Sequence, residues 1–288
     1  MPGLKRFKPT AFLNWVAASS ILFCLLTSWA HADMLVSPVR LLLQQPGETA
    51  NFILRNPSNG SRTYRLEWIE QTQTRDGVGE RIADGAPVPH PPASPHLRFT
   101  PRQVTVEPNT SQTVRINFRP EGNLAPGEYR SHLLFRVVPE VSEPVSRSEI
   151  GNADDKVKLQ LDMQMSIAVP VVVRYQMDTP PEVQITQVTP IPATGNEQNA
   201  RLAVTLKHKG NTSSFGRVTV DLQTSMTTPV ERIGLQESIS VFPDVGERHL
   251  VLILRDRSFP SGALIRVAYE GTDEYRGKLW HEQVLQVR

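Results

Sequence analysis

Cysteine is nearly absent: Cys24 is the only one among 288 residues. Disulfide frameworks and cysteine-based metal sites are therefore excluded, and the chain must hold its shape by burial and backbone pairing. Long apolar runs are also missing beyond residue 32. The longest, Ile167 to Val173, contains Pro170 and falls far short of the roughly 20 residues of a membrane-spanning helix. Aromatic residues make up only 7%, which speaks against a carbohydrate-binding module built on exposed rings. No Gly-x-Ser-x-Gly elbow occurs. His281 and Glu282 begin a zinc-protease pattern, but Leu285 stands at its second ligand position. Gly277 and Lys278 lack the earlier glycine and the following Ser or Thr of a phosphate loop. No catalytic centre, metal or cofactor is expected. His90 and His96 flank a proline-rich stretch and read as surface histidines, and Asn59, Asn109 and Asn211 as turn residues.

What is present begins with an export signal. Lys5, Arg6 and Lys8 precede an apolar stretch from Ala11 to Trp29, which ends in the small-x-small triplet Ala30, His31, Ala32. Residues 1–32 thus read as a cleaved leader that also carries Cys24. The leader holds three of the 31 Lys and Arg and none of the 29 Asp and Glu, leaving 28 basic against 29 acidic residues, a formal charge of −1. Nucleic acid is not an expected partner.

The remaining 256 or so residues are enough for two domains of ordinary size. Short β-branched and aromatic runs separated by Pro, Gly and Asn predict an all-β chain of two immunoglobulin-like sandwiches. Strands are expected over Leu35–Leu43, Thr49–Arg55, Tyr64–Ile69, Val104–Val106, Val114–Phe118 and Tyr129–Val138, with Arg75–His96 as a surface connection. The double proline Pro180–Pro181 marks a boundary, giving domains 33–177 and 178–288. In the second domain, seven strands are expected: Val183–Thr189, Leu202–His208, Phe215–Gln223, Ser238–Phe242, His249–Leu254, Ala263–Tyr269 and Leu279–Val287.

The most informative segment follows a polar loop. Val157, Leu159, Leu161, Met163, Met165, Ile167 and Val169 alternate with polar or small residues, predicting a strand from Val157 to Arg174. That is about three times the usual strand length. An exposed edge with alternate apolar side chains is a pairing template that monomeric proteins normally avoid. Strand addition to a partner would use it: the backbone gives generic affinity and the alternate side chains enter the partner's groove. Leu159, Leu161, Met163 and Met165 would each contribute roughly 1.5–3 kcal/mol on full burial, before ordering costs.

In these features the chain resembles the PapD-like periplasmic chaperones of chaperone/usher pilus systems. The resemblance rests on Val39 to Leu43, Asn56, Glu128, Leu133 to Pro139 and the run Val171, Val172, Val173, Arg174, and it spans nearly the whole mature chain. It implies a periplasmic, non-enzymatic protein whose two sandwiches are set at an angle. It also implies that pilus or fimbrial subunits are bound along the first domain's last strand and delivered to an outer-membrane usher. In free molecules that edge would be open to capping by a second copy as a dimer. Arg40 matches an arginine that anchors the subunit's terminal carboxylate in the cleft. The lysine paired with it in the family has no counterpart, because Pro170 stands in its place. Arg174, Glu128 and Asp273 match interdomain ion pairs. The alternative from another class is a secreted structural or adhesive surface protein, which would want a self-complementing N-terminal extension.

Met163→Glu is expected to abolish capture of a strand-accepting partner while the chain still folds. Unchanged capture in a pull-down would count against the donor strand.

Overall fold

The computed structural model describes residues 34–139 and 165–287, apart from 196, 226, 256 and 257. The leader and three of the four donor positions, Leu159, Leu161 and Met163, lie outside the described residues.

Every long element is a strand. In the first sandwich β1 (Leu35–Ser37), β3 (Thr49–Arg55), β9 (Ser111–Phe118) and β7 (Leu97–Thr100) form one sheet. The second sheet runs β2 (Leu41–Leu43), β11 (Ile167–Tyr175), β10 (Gly127–Val137), β4 (Arg62–Ile69) and β8 (Gln103–Val106). Alternate residues of both sheets close over one core. Phe52 of β3 meets Phe135 of β10 edge to face, with ring centroids 5.8 Å apart. Phe118, Tyr64, Val169 and Val171 are buried in the same core.

The second sandwich packs a three-stranded sheet on a four-stranded one. The first contains β12 (Val183–Ile191), β13 (Arg201–His208) and β16 (Glu247–Ile253); the second contains β15 (Glu231–Val241), β14 (Ser214–Gln223), β17 (Leu264–Gly271) and β18 (Leu279–Gln286). Its core is separate and includes Leu202, Val220, Leu252, Ile265 and Val267.

Several segments depart from the sequence expectations. Of the strand expected from Val157 to Arg174, the described residues show β11 from Ile167 to Tyr175, with Met165 and Ser166 outside it. Three other departures have a local reason. Leu35–Leu43 is two strands, because the chain crosses from one sheet to the other at residues 38–40: β1 pairs with β3, and β2 pairs in parallel with β11. Pro38, with no N–H, suits the crossing. Arg75–His96 is more than a connection. Within it β6 (Gly79–Arg81) folds back on β5 (Gln71–Gln73), which precedes it, as a polar hairpin without alternation. Strand β15 starts seven residues earlier than Ser238, the expected start. A register shift in its pairing with β14, where Ser238 takes a φ of 57°, breaks the alternation that would reveal it.

Asn56 knots the turn that joins β3 to β4. Its Nδ2 donates to Gly60 O at 2.7 Å and Val106 O at 2.9 Å, and its Oδ1 accepts from Ser58 N and Oγ, all beneath a fully buried side chain. Asn56→Ala would remove the buried bond to Val106 O and leave the buried Ser58 N–H without its acceptor. A loss of about 2 kcal/mol is expected in urea unfolding, with a smaller loss for an exposed turn position such as Asn59→Ala.

Candidate functional site at the cleft between the sandwiches

Strands β10 and β11 pair antiparallel from Gly127↔Tyr175 to Phe135↔Ile167 without a register shift. Their odd-numbered side chains face the first core. The even-numbered ones, Glu128, Arg130 and His132 on β10 and Ala168, Pro170, Val172 and Arg174 on β11, face the second domain. Polar residues at every second place in so buried a strand are the sequence signal for this surface.

Arg174 is the hub of the junction. Its Nε donates to Glu128 at 2.9 Å, one Nη to Tyr275 Oη at 2.9 Å and to Glu274 at 3.4 Å, and the other Nη to Ser213 O at 2.7 Å. Glu128 in turn accepts from the Ser213 backbone N–H at 3.0 Å and from the Ser213 hydroxyl. Burial pushes the Tyr275 phenol upward, so it stays a neutral partner. Beside this hub Val172 packs on Phe215 and Phe242. The rings of those two phenylalanines carry the guanidinium groups of Arg40 at 3.6 Å and Arg130 at 3.7 Å, respectively.

Arg130 grips Asp244 in a forked pair with contacts of 2.9 and 3.1 Å, both side chains 5% exposed or less. Sequence reasoning missed this pair, since 114 residues separate its members. It also missed Glu274, Tyr275 and Ser213. Asp273, expected beside Arg174, sits on Arg40 instead, at 2.7 Å, with Glu274 at 3.2 Å from the same Nη. Arg40, read from the resemblance as an anchor for a partner's carboxylate, is thus already held by two carboxylates of the second domain.

The hairpin β5–β6 makes a second bridge. Arg75 O accepts the His249 backbone N–H at 2.7 Å and an Arg248 Nη at 2.9 Å. At Gly77 the φ is 86°, and the Arg248 guanidinium occupies the space where a Cβ would project. No other residue fits there without displacing that arginine.

Between these contacts lies a cavity of about 700 Å³. Ala168 and Pro170 of β11, Gln71 and Gln73 of the hairpin, His132, and Arg217, Ser238 and Arg276 of the second domain are among its walls. Each cation here except Arg276 has a carboxylate among the described residues: Arg217 lies 3.0 Å from Glu270 and 3.6 Å from Glu237. His132 Nδ1 and Gln73 Oε1 are buried without a hydrogen-bond partner among the described residues. His90 and His96 have separate duties, one bonding Gln71 O and the other accepting the Glu121 N–H. Among the described residues no group of three or more metal-ligating side chains occurs.

The edge of β11 opens into this cavity. Arg130 N–H donates to Pro91 O, and Arg130 O accepts from Ala93 N–H, so the backbone of Arg130 points away from β11. Its cross-strand neighbour Val172 therefore points away from β10, and so, by the period of two, do Pro170 and Ala168. Strand β2 covers β11 only at Val171–Val173. The outward N–H and C=O of Ala168 thus lie on an uncovered edge, whereas the pairing of Val171 with Leu41 gives the C=O of Pro170 to the Leu41 N–H. The N–H that proline lacks is missing from that edge and not from the β10 ladder. Met165, just before β11, is 60% exposed, and Val39 on the cavity wall 66%.

No family model and no curated protein matches the sequence. Solved structures similar to it at low identity are found. The CupB2 chaperone of Pseudomonas aeruginosa is 13% identical, with 88% of this chain and 100% of that chain covered and a TM-score of 0.40. The E. coli chaperone DraB is 12% identical over 88% of this chain and 96% of its own, at a TM-score of 0.44. In the CsuC–CsuE complex of a chaperone and a tip adhesion subunit, from archaic chaperone-usher Csu pili of Acinetobacter baumannii, the similarity is 13% over 89% and 98% of the two chains, at 0.43. At these identities and TM-scores the likeness carries no functional argument.

His132 supplies a pH test. Burial first, then the nearby positive charge of Arg130 and the neighbouring His90, lower its pKa from 6.5 to about 3, against a raising effect of Asp244. Between those values the unfolded chain binds a proton that the folded protein refuses. Stability should therefore fall as pH drops from about 6.5 towards 3 and be untouched by this group above that window. His132→Gln should lose less stability than the parent between pH 7 and pH 4 in urea titrations, by an amount on the order of a few kcal/mol.

Proposed function

We propose that this protein is a non-catalytic periplasmic chaperone that lends its β11 edge, extended by Leu159, Leu161, Met163 and Met165, to pilus or fimbrial subunits lacking a strand. The supporting observation is the uncovered half of β11, which presents outward backbone groups beside the exposed Met165 and Val39 at the mouth of a polar cleft. Edges of this kind are normally blocked or charged in monomeric proteins. An open edge with alternating apolar side chains is what strand addition requires. The two methionines would adapt to grooves of differing shape.

The rest of the reading follows from the same resemblance. Residues 1–32 direct export and are removed. The mature chain is divided into 33–177, which carries the donor strand, and 178–288, which forms the other wall of the cleft. The partner's terminal carboxylate enters the cleft, where the resemblance makes Arg40 its anchor. Bound subunits pass to an outer-membrane usher without a nucleotide, driven by replacement of the borrowed strand with a final one. Before a subunit arrives, a second copy of the chaperone is a natural cap for the edge.

Ala168→Pro tests the edge directly. It removes the outward N–H of Ala168 and leaves the β10 ladder intact, because that N–H points away from β10. Co-expressed with a candidate pilus subunit, the parent should co-purify a stabilised subunit. The variant should fold normally and recover at least tenfold less. Equal recovery would exclude the β11 edge as the docking strand, and failure of the parent to stabilise any subunit would exclude the chaperone role.

A further inference from the structure

Strand β16 is the last of its sheet and pairs with β13 alone, so one of its edges faces outward. Leu254 N–H donates to Ala200 O, which turns the even-numbered backbone groups of β16 towards β13. By the period of two, the N–H and C=O of His249, Val251 and Ile253 point away from it. The outer face of the same strand carries Val251, 56% exposed, and Ile253, whose 71% is the highest value for a large apolar side chain among the described residues. An open edge beside exposed β-branched side chains is a pairing template.

That edge is stopped at both ends. Beyond Ile253, the Arg255 N–H is taken by Ile233 O of β15. At the other end the stop comes from the first domain. Arg75 O, at the tip of the β5–β6 hairpin, accepts the His249 N–H at 2.7 Å, and one Nη of Arg248 donates to both Arg75 O and His249 O at 2.9 Å. The hairpin thus stands where an added strand would run, about 4.8 Å from β16. Among the described residues, only Val251 and Ile253 keep outward groups that no backbone partner takes up. Arg248 makes this contact against its own solvation: it is half-buried, burial pushes its pKa down, and its Nε is buried without a hydrogen-bond partner among the described residues.

What the stop prevents follows from the order of residues along β16. In an antiparallel, two-fold pairing centred on Val251, that residue meets its own copy, Ile253 meets the partner's His249, and Glu247 meets the partner's Arg255. All five positions of each strand lie on one face, with apolar contacts at the centre and opposite charges at the ends. The strand is therefore complementary to itself, and the outward groups of His249 that this pairing needs are the ones the hairpin holds.

We propose that the β5–β6 hairpin is a strap that closes the β16 edge against a second copy of this chain, and that unfastening it lets two copies pair through β16. The inference does not depend on strand addition at β11. The same strap carries Gln71 and Gln73 on the cavity wall, so the width of the cleft and the state of the β16 edge are tied to one contact between the domains.

The test uses the chain from Asp33 onward, which has no cysteine, with Val251→Cys as its single thiol. Facing residues of a hydrogen-bonded antiparallel pair have Cα atoms about 5.5 Å apart, within reach of a disulfide. Under diamide this protein should remain monomeric. Adding Gly77→Val drives a side chain into the space of the Arg248 guanidinium at a φ of 86°, and should raise the yield of disulfide-linked dimer at least tenfold. Arg248→Ala removes the same contact from the second domain and should act alike, which keeps the test open if the valine variant misfolds. A thiol placed by Val284→Cys, exposed on the other sheet of that domain, should stay unlinked in every background. Glu247→Lys should lower the cross-link of the unfastened protein, and Arg255→Glu added to it should restore the yield. Equal cross-linking with the strap fastened and unfastened would show that the hairpin closes nothing. Monomers in both unfastened variants, or a dimer not linked at 251, would overturn pairing through β16.

Discussion

The two-residue repeat of β10 and β11 is the constraint from which the rest of the architecture follows. Because side chains alternate across a strand, the same pair must satisfy an apolar core on one face and a second domain on the other. On the core face stand Leu133, Phe135, Val169 and Val171. On the other face Glu128, Arg130, Val172 and Arg174 meet Ser213, Phe215, Phe242 and Asp244. A buried arginine survives only if its charge and its donors are met. Arg174 and Arg130 meet that condition by reaching into the second domain, so neither sandwich can rotate away without exposing an unpaired buried charge. The junction is accordingly specific in direction rather than merely sticky.

Coverage of that face is incomplete, and the site arises there. Val172 and Arg174 lie under the second domain, whereas Ala168 and Pro170, four and two residues before Val172, look into the cavity. One strand therefore passes from a sealed interface to a usable edge within a few residues. Strand β2 protects β11 where the domains touch and stops where they part. The hairpin β5–β6 adds a contact of another kind, since Arg75, Asp76 and His249 remain largely in solvent. Exposed contacts of this sort add little stability, and their effect is to position Gln71 and Gln73 on the cavity wall.

Much of this was legible in the residues. Alternation in Val114–Phe118 and Tyr129–Val138 marked strands with one buried face, and the second domain's seven strands stood out between turn signals. What escaped did so for physical reasons. The polar hairpin has no apolar period because it packs on no core. Strand β15 is masked by a bulge that shifts the alternation halfway along. Asp273 and Glu274 are adjacent carboxylates, and only the backbone turn at Asp273, with a φ of 53°, decides that the first meets Arg40 and the second reaches both arginines. The Arg130–Asp244 pair joins positions that no local pattern relates.

By itself the sequence determined that this is an all-β chain in two parts, without disulfides and with an unusually long apolar alternation, because strand period, turn chemistry and composition are local properties. Tertiary structure alone decided which side chains share the cleft, that Arg40 is paired with Asp273 and Glu274, and that the missing N–H of Pro170 faces away from β10. Those facts depend on register and on which strand lies beside which, and register is fixed only when two sheets close on a common core.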